Sequence, residues 1–546
     1  MKKTTKILLI VLAVILTIGI AGFICADVLI SRVATTQVNK VLATLPEGEA
    51  SIGSISVRVF SGTASVGDIR FAYSKDTVIK KDTFHVGATI SVDRIDIGRV
   101  FYTLLLKKQA LVHSLTIVRP QVELWLDEQH PERSFPAFEP DATRSFEFPL
   151  NKAELKHLNI KNASFALHSL SSKLDVLADS CSIALYDLVY DTAFHYCDSV
   201  YKLTLAHAAI MLPDGRMKIE TRQLSHANQG PLTLGATRIA NTMPKKRLGD
   251  IVKEPVTWID MTLSSVETSA FNPLHKALAQ DFSLQSVNAQ VERMDIFRDE
   301  RYKPKSVFLM PQTILMSIPV VFNIEHVNAG INIINIDFAS TDKNIGQLSL
   351  GNIKATVKNI TNKRGATLKA SGTCPLQAGK ANAAFEMTMN KNCNWVMDLH
   401  AENVNADLLN PFIRPLVGMT AECFIDALDT RYKGDILKAD GTFRMLYHGF
   451  SVKVHKEDDI PYKIITKNAN TFTALGNSLL PKSNPSSPTK QPRGYQVTWK
   501  RNEWKPFPLF LFGPCIDGVK KTMLPGLYVH LQTKEPKTAK TTKSKK

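Results

Sequence analysis

The feature that most constrains the fold is a repeated alternation of apolar and polar side chains with a period of two residues. In residues 114–128, SLTIVRPQVELWLDE, the even positions from 118 to 126 are apolar: Val118, Pro120, Val122, Leu124 and Leu126. Positions 119, 121 and 123 between them are polar, which is typical of a β-strand with one dry face. Pro120 has no backbone N–H to donate, so it indicates a sheet edge, a bulge or the start of a strand. The stretch therefore predicts an apolar sheet face that needs a cover.

The same alternation recurs from residue 51 onward, between short turns rich in Gly, Asn, Asp and Lys. It is clearest in two runs with alternate apolar residues at Ala383, Phe385, Met387 and Met389, then at Trp395, Met397, Leu399 and Ala401. Short helices are predicted in 99–107, 269–280 and 405–418, and the last two stretches contain an Asn-Pro pair that suits a helix start. The pattern predicts a mainly β chain with few short helices.

One segment is apolar enough to be a transmembrane helix. Residues 7–25, ILLIVLAVILTIGIAGFIC, follow three lysines and would form a helix about 28 Å long, close to the hydrocarbon thickness of a bilayer. The interpretation is an uncleaved anchor at residues 7–26, with residues 1–6 in the cytoplasm and the remainder exported. A cleaved signal peptide is the alternative, although its apolar region is usually shorter.

Charge and cysteine content bear on partners and compartment. The net charge is +17, and residues 534–546 contain six lysines and one glutamate. Residues 526–546 are predicted to be a disordered basic tail, which either attracts an anionic membrane or acidic partner, or only solubilises the end of the chain. No nucleic-acid partner is expected for an exported chain. Seven cysteines are too sparse for a disulfide framework, which leaves one or two bridges, such as Cys181 with Cys197, or free thiols.

Catalytic and cofactor motifs are absent from the sequence. It contains no HExxH, GxSxG, GxGxxG or paired CxxC. The stretch 371–380, SGTCPLQAGK, fails as a phosphate loop because six residues separate Gly372 from Gly379 and Ala381 follows Lys380. His400 lies on the polar side of its predicted strand, where a solvated side chain is expected rather than a metal ligand. The sequence predicts no catalytic residue, no cofactor and no metal site.

Three stretches carry a resemblance to a known family. They are IGSISVRVFSGTASVGDIRF (52–71), SVDRIDIGRVFYTLLLKKQALVHSLTIVRPQVELWLDE (91–128) and NVNADLLNPFIRPLVGMTAECFIDALDTRYKGDILKADGTFRMLYHGFSVKV (403–454). With one anchor before a series of strands, the chain resembles the AsmA-like family of inner-membrane-anchored periplasmic proteins. From about residue 170 to 340 only the strand pattern is similar.

The resemblance implies a long curled antiparallel β-sheet groove in the periplasm, with short helices and one N-terminal transmembrane helix. Its apolar interior would hold phospholipid acyl chains, and the protein would move or shield lipid between the inner and outer membranes. The residues expected to line this groove are Val118, Val122, Leu124, Leu126, Phe385, Met387, Met389, Trp395, Met397 and Leu399. Three alternatives remain open: a dry sandwich core behind these residues, a scaffold that binds envelope or outer-membrane proteins at its sheet edges, and an unrecognised envelope hydrolase.

The predicted organisation continues after the anchor with AsmA-like regions at 27–245 and 246–502 and an amphipathic segment at 503–525. That segment combines apolar residues with lysines, and its membrane- or partner-contacting candidates are Trp504, Phe507, Phe510, Phe512, Lys520 and Lys521. The alternative for the segment is a cap over the end of the sheet.

Overall fold

The described part of the chain is mainly β, as predicted, and most neighbouring strands are antiparallel. The computed structural model describes residues 49–58, 61–79, 82–100, 109–126, 152–169, 173–190, 194–195, 201–213, 215–228, 230–271, 281–318, 320–342, 344–456 and 468–524. The predicted anchor at 7–26 and basic tail at 526–546 lie outside these residues. No helix in the described ranges has the length and apolar character needed to cross a membrane.

Twenty-one strands are described. They are β1 Glu49–Arg58, β2 Thr63–Ile79, β3 Asp82–Val100, β4 Gln109–Leu126, β5 Lys152–Ser169, β6 Asp175–Tyr190, β7 Phe194–His195, β8 Tyr201–Met211, β9 Met217–Ala227, β10 Pro231–Leu234, β11 Thr237–Asn241, β12 Val256–Ala270, β13 Asp281–Asp299, β14 Val321–Ala339, β15 Ile345–Thr361, β16 Thr367–Leu376, β17 Gly379–Thr388, β18 Trp395–Asn405, β19 Met419–Gly434, β20 Lys438–Val454 and β21 Gly494–Lys500.

The described residues also contain six short α-helices. They are α1 Arg247–Val252, α2 Pro311–Met316, α3 Asn410–Val417, α4 Ala469–Leu479, α5 Phe507–Leu511 and α6 Gly513–Met523. The helix predicted in 405–418 is confirmed by α3 and by the 3-10 turn Ala406–Leu409 before it. Of the stretch 99–107, the first two residues belong to β3 and the others lie outside the described residues. Of 269–280, only 269–271 are described, as the end of β12 and the residue after it.

The chain divides into two compact units. Unit 1 is Met1–Thr242 with Ser264–His275, and unit 2 is Met243–Leu263 with Lys276–Lys546. In unit 1 the strands from β1 to β6 pair in sequence order, antiparallel except for the parallel pair β4–β5, and β8 and β9 continue the sheet beside β6. In unit 2, β13 and β14 are parallel and every later strand to β21 is antiparallel to the one before it.

A row of backbone irregularities crosses the sheet of unit 1. Asp68, Arg119, Asn162, Ser180 and Gln223 all have positive φ angles, between 48° and 57°. The strand registers place these positions in one row across the sheet, to which β3 contributes Asp93 and β8 contributes Ala206, and each position lies within a gap in the ladder of paired residues. A left-handed residue inside a strand acts like a β-bulge, because it bends the strand and resets the alternation of its side chains.

The bend row explains a change of parity in the apolar pattern. In β3, Val92 occupies an even position and Ile95 an odd one, yet both belong to the same buried cluster. In β1, Ile52 at an even position and Ile55 at an odd one lie on either side of Gly53 and likewise belong to this cluster. Gly53 is required there, because a Cβ on it would lie 2.8 Å from Cβ of Asp68. The row thus keeps apolar residues on one face while the strands change direction.

Candidate functional site

Beyond the bend row, two lines of residues run perpendicular to the strands across one face of unit 1. Cross-strand neighbours in the first line are Tyr73, Ala88, Leu124, Leu167, Val176, Ile210, Ile219 and Ile239. Those in the second are Phe71, Ile90, Val122, Phe165, Ala178 and Ala208, followed by Thr221 and Thr237. We call the apolar members of both lines the apolar strip. Seven strand spacings of about 4.8 Å give the longer line a length of about 34 Å.

The apolar strip is only partly covered by the protein. Tyr73 and Ala88 at one end are buried, whereas the residues from Leu124 to Ile239 in the first line are half-buried. The second line ends at two buried threonines, Thr221 and Thr237, whose hydroxyl oxygens are 2.8 Å apart. The strip is therefore a continuous apolar path, free of charged side chains, that retains access to a ligand along most of its length.

The predicted groove residues of β4 divide at the bend row. Val122 and Leu124 lie on the strip, and Leu126 continues the same face opposite Ser169. Val118 does not lie on the strip, because its cross-strand neighbours are Arg94 and Lys161. The reason is the positive φ of Arg119, which shifts the alternation of side chains by one residue. Val118 and Val122, both at even positions, therefore point to different faces of the sheet.

The predicted groove residues of unit 2 lie in a core that the chain itself covers. Met387, Met389, Trp395 and Met397 are buried in one cluster with Phe510, and Phe385 and Leu399 pack against that cluster. Trp395 is its centre: its ring centroid lies 5.4 Å from that of Phe510 and 5.9 Å from those of Phe507 and Tyr432. These side chains already fill the space in which a ligand would lie.

The terminal segment divides into covering and exposed residues. Phe507 and Phe510 face the core, as the capping alternative describes, whereas Trp504 and Phe512 are exposed. At the end of α6, Lys520 is exposed, while Lys521 is 2.8 Å from Asp517 and donates a hydrogen bond to the carbonyl oxygen of Gln496.

The opposite, polar face of unit 2 carries a depression of about 970 Å³ across β15–β21. At its centre Asp429 is 2.6 Å from Nδ1 of His400 and accepts a hydrogen bond from Arg444 at 2.9 Å. The bond to Asp429 raises the pKa of His400, and the same bond lowers the pKa of Asp429. The charges in this depression pair mainly with each other, which is the arrangement of a solvated sheet face. The described residues contain no group of three or more potential metal ligands.

The sequence missed the members of the strip on β5, β6, β8, β9 and β11. Their signal was present as apolar alternation, but its parity changes at a polar residue such as Asn162 or Ser180, so a single period does not fit the whole strand.

Five cysteines of the described chain are free thiols, and these are Cys181, Cys374, Cys393, Cys423 and Cys515. No family model, curated protein or solved structure matches this chain.

Proposed function

We propose that this chain is a non-enzymatic lipid-handling protein that binds phospholipid acyl chains along the apolar strip. In this proposal the segment 7–26 anchors it in the inner membrane, and the strands in the periplasm move or shield lipid between the two membranes. The observation that carries the proposal is the strip itself, a half-buried apolar path about 34 Å long by strand spacing.

The dimensions of the strip suit acyl chains. Each leaflet of a bilayer contributes about 15 Å of hydrocarbon, so the strip has room for about two acyl chains end to end. A flexible hydrocarbon needs a continuous apolar surface and no directional partner, which the two lines from β2 to β11 supply. The buried threonine pair closes the second line with hydroxyl groups that are satisfied by each other.

The contrast between the two units supports the same choice. In unit 2 the apolar face around Trp395 is covered by Phe507 and Phe510, and Trp395 is buried. In unit 1, Leu167 and Ile210 retain part of their surface. Had the strip been an ordinary core, we would expect these residues to be as deeply buried as Trp395.

The test is photocrosslinking in the full chain within its membrane. A diazirine amino acid replaces Leu167 or Ile210 on the strip, and matched controls replace Glu123 or Glu220, whose cross-strand neighbours place them on the opposite face. We expect lipid adducts at the strip positions and few at the controls. Adducts with polypeptide alone at Leu167 and Ile210 would contradict the proposal and favour the scaffold alternative.

A pair of charge substitutions sharpens the test. Leu124→Asp places a carboxylate against acyl chains, which costs about 2.5–3.5 kcal/mol by analogy with the bilayer centre and lowers lipid binding roughly a hundredfold. Because Leu124 is half-buried, its unit remains folded and lipid adducts at Leu167 disappear. Met387→Lys, in the closed core of unit 2, instead unfolds that unit. Loss of folding in the Leu124→Asp chain would show that the strip is an ordinary core.

A further inference from the structure

Unit 2 gathers four of its connections at one end of its strands. The register pairs Asn323 with Thr361, Thr367 with Thr388, Trp395 with Gly434, and Lys438 with Lys500. Therefore one end of these strands carries three turns, 362–366, 389–394 and 435–437, and the segment 501–506. We call this set, with the adjoining residues 307–318 and 320–321, the turn rim.

Hydrogen bonds join these segments to one another. The backbone N–H of Arg501 donates to the carbonyl oxygen of Leu437 at 2.7 Å, and its guanidinium donates to that of Phe308 at 2.5 Å. The N–H of Phe308 donates to the carbonyl oxygen of Glu503 at 2.8 Å. On the other side, the side-chain amide of Asn362 donates to the carbonyl oxygens of residues 318 and 320. The turn rim is thus a connected surface.

Large apolar side chains protrude from this surface. Leu437 is 64% exposed, Leu309 58%, Ile314 54% and Trp504 48%. Val320 and Val321, at the start of β14, are also exposed. Several exposed large hydrophobic residues on one connected surface are unusual for a protein that meets only water, and they mark an interaction site.

The charges that accompany these residues identify the partner. Lys363, Arg364 and Lys391 are exposed on the turn rim, and the exposed Lys500 directly precedes its segment 501–506. None of these four residues forms an ion pair with another described residue. The only exposed carboxylate among the rim turns described is that of Glu503. An anionic bilayer offers headgroups for the cations and hydrocarbon for the apolar side chains within one interface, where tryptophan is also favoured.

We propose that the turn rim of unit 2 docks onto an anionic bilayer surface, with Leu309, Ile314, Leu437 and Trp504 inserted at the headgroup boundary. The contact is separate from lipid binding on the apolar strip, because it belongs to unit 2 and engages the bilayer rather than a single lipid. It adds a peripheral attachment that does not depend on the anchor at 7–26.

The test uses the full chain reconstituted in vesicles of phosphatidylcholine, with and without phosphatidylglycerol. A diazirine amino acid replaces Leu309 or Leu437, and the matched control is Leu479. Leu479 is 72% exposed and belongs to α4. Helix α4 hydrogen-bonds to the end of β20, whereas the turn rim adjoins the start of that strand, so Leu479 is an exposed leucine away from the rim. We expect several-fold more lipid adducts at Leu309 and Leu437 than at Leu479 when phosphatidylglycerol is present, and a decrease in high salt.

A charge-reversed chain separates docking from proximity to the membrane. Lys363→Glu with Arg364→Glu changes two exposed side chains in one turn and should reduce the adducts at Leu309 several-fold while leaving those at Leu479 unchanged. Equal adducts at Leu309, Leu437 and Leu479, indifference to phosphatidylglycerol, or adducts only with a second polypeptide would each overturn the proposal. Adducts at Leu167 on the strip report the proposed function independently.

Discussion

The packing of α5 on the sheet of unit 2 can be tested by removing one ring. Phe510 is 2% exposed, and its ring meets the ring of Trp395 edge-on at a centroid distance of 5.4 Å. Phe512, two residues later in the chain, is 45% exposed. Phe510→Ala therefore opens a cavity beside Trp395, whereas Phe512→Ala removes a ring that already contacts water.

The expected magnitudes follow from burial. A buried Phe→Ala substitution costs about 4 kcal/mol, including the cavity and the lost ring contact. With a urea dependence of about 2 kcal/mol per molar, the unfolding midpoint of unit 2 should fall by about 2 M. For Phe512→Ala we expect a loss below about 1 kcal/mol, since roughly half of its surface stays in water in the folded state.

The assay is pulse proteolysis of the full chain in urea, with the fragment of unit 2 followed on a gel, because brief digestion reports the folded fraction. A third chain, with Phe510→Leu, retains part of the apolar volume and should lie between the wild type and Phe510→Ala. Equal midpoints for Phe510→Ala and wild type would refute the capping role of α5. If Phe510→Ala instead released the protein from membranes without changing the midpoint, the terminal segment would be a membrane contact.

Two further predictions concern charged groups of unit 2. Asp299 is fully buried and accepts hydrogen bonds from Nε and Nη2 of Arg301 at 2.9 and 2.7 Å. Asp299→Asn breaks this ion pair and leaves the half-buried Arg301 only with Asp250, a largely exposed carboxylate 3.1 Å away, so it should destabilise the unit by about 3 kcal/mol in the same assay. Asp295→Asn on the same strand loses a pair with the exposed Arg293 and should cost less than about 1 kcal/mol; equal effects would show that burial does not govern these pairs. His400 should titrate with a pKa above its ordinary value in an NMR titration, because Asp429 hydrogen-bonds to it, and Asp429→Asn should return that pKa toward the ordinary value. Since the folded pKa is the higher one, the small stabilisation from this pair is complete below the unfolded pKa of His400 and is lost as pH rises through the folded pKa; an unchanged pKa in the Asp429→Asn chain would contradict the assignment.

The fold class could be predicted from the sequence because period-2 alternation is a local property of each strand. The same holds for α3, whose Asn410–Pro411 pair begins the helix. The cover over Trp395 could not be predicted, because it comes from Phe507 and Phe510, more than a hundred residues later in the chain. The apolar and aromatic composition of the terminal segment fits a membrane interface and a capping helix equally well, and only tertiary packing separates the two for each side chain.

The misplacement of Val118 has a more general cause. Assigning faces by alternation assumes that every residue of a strand is extended, and a single left-handed residue such as Arg119 breaks that assumption. The conformation is unfavourable for an arginine, and a salt bridge of 2.5 Å between Arg119 and Asp93 on the neighbouring strand accompanies it. Asp68 and Asn162 in the same row are of the residue types that adopt positive φ most readily. A parity change centred on Asp, Asn, Ser or Gly in several consecutive strands therefore indicates a bend row in the sequence itself. In this chain the buried cluster of unit 1 reaches across the bend row only as far as residues such as Ile52 and Val92, and the mostly half-buried apolar strip lies beyond them. A sheet of constant alternation would have placed Leu115 and Leu124 on opposite faces; because the row resets the alternation, the same strand contributes Leu115 to the buried cluster and Leu124 to the strip.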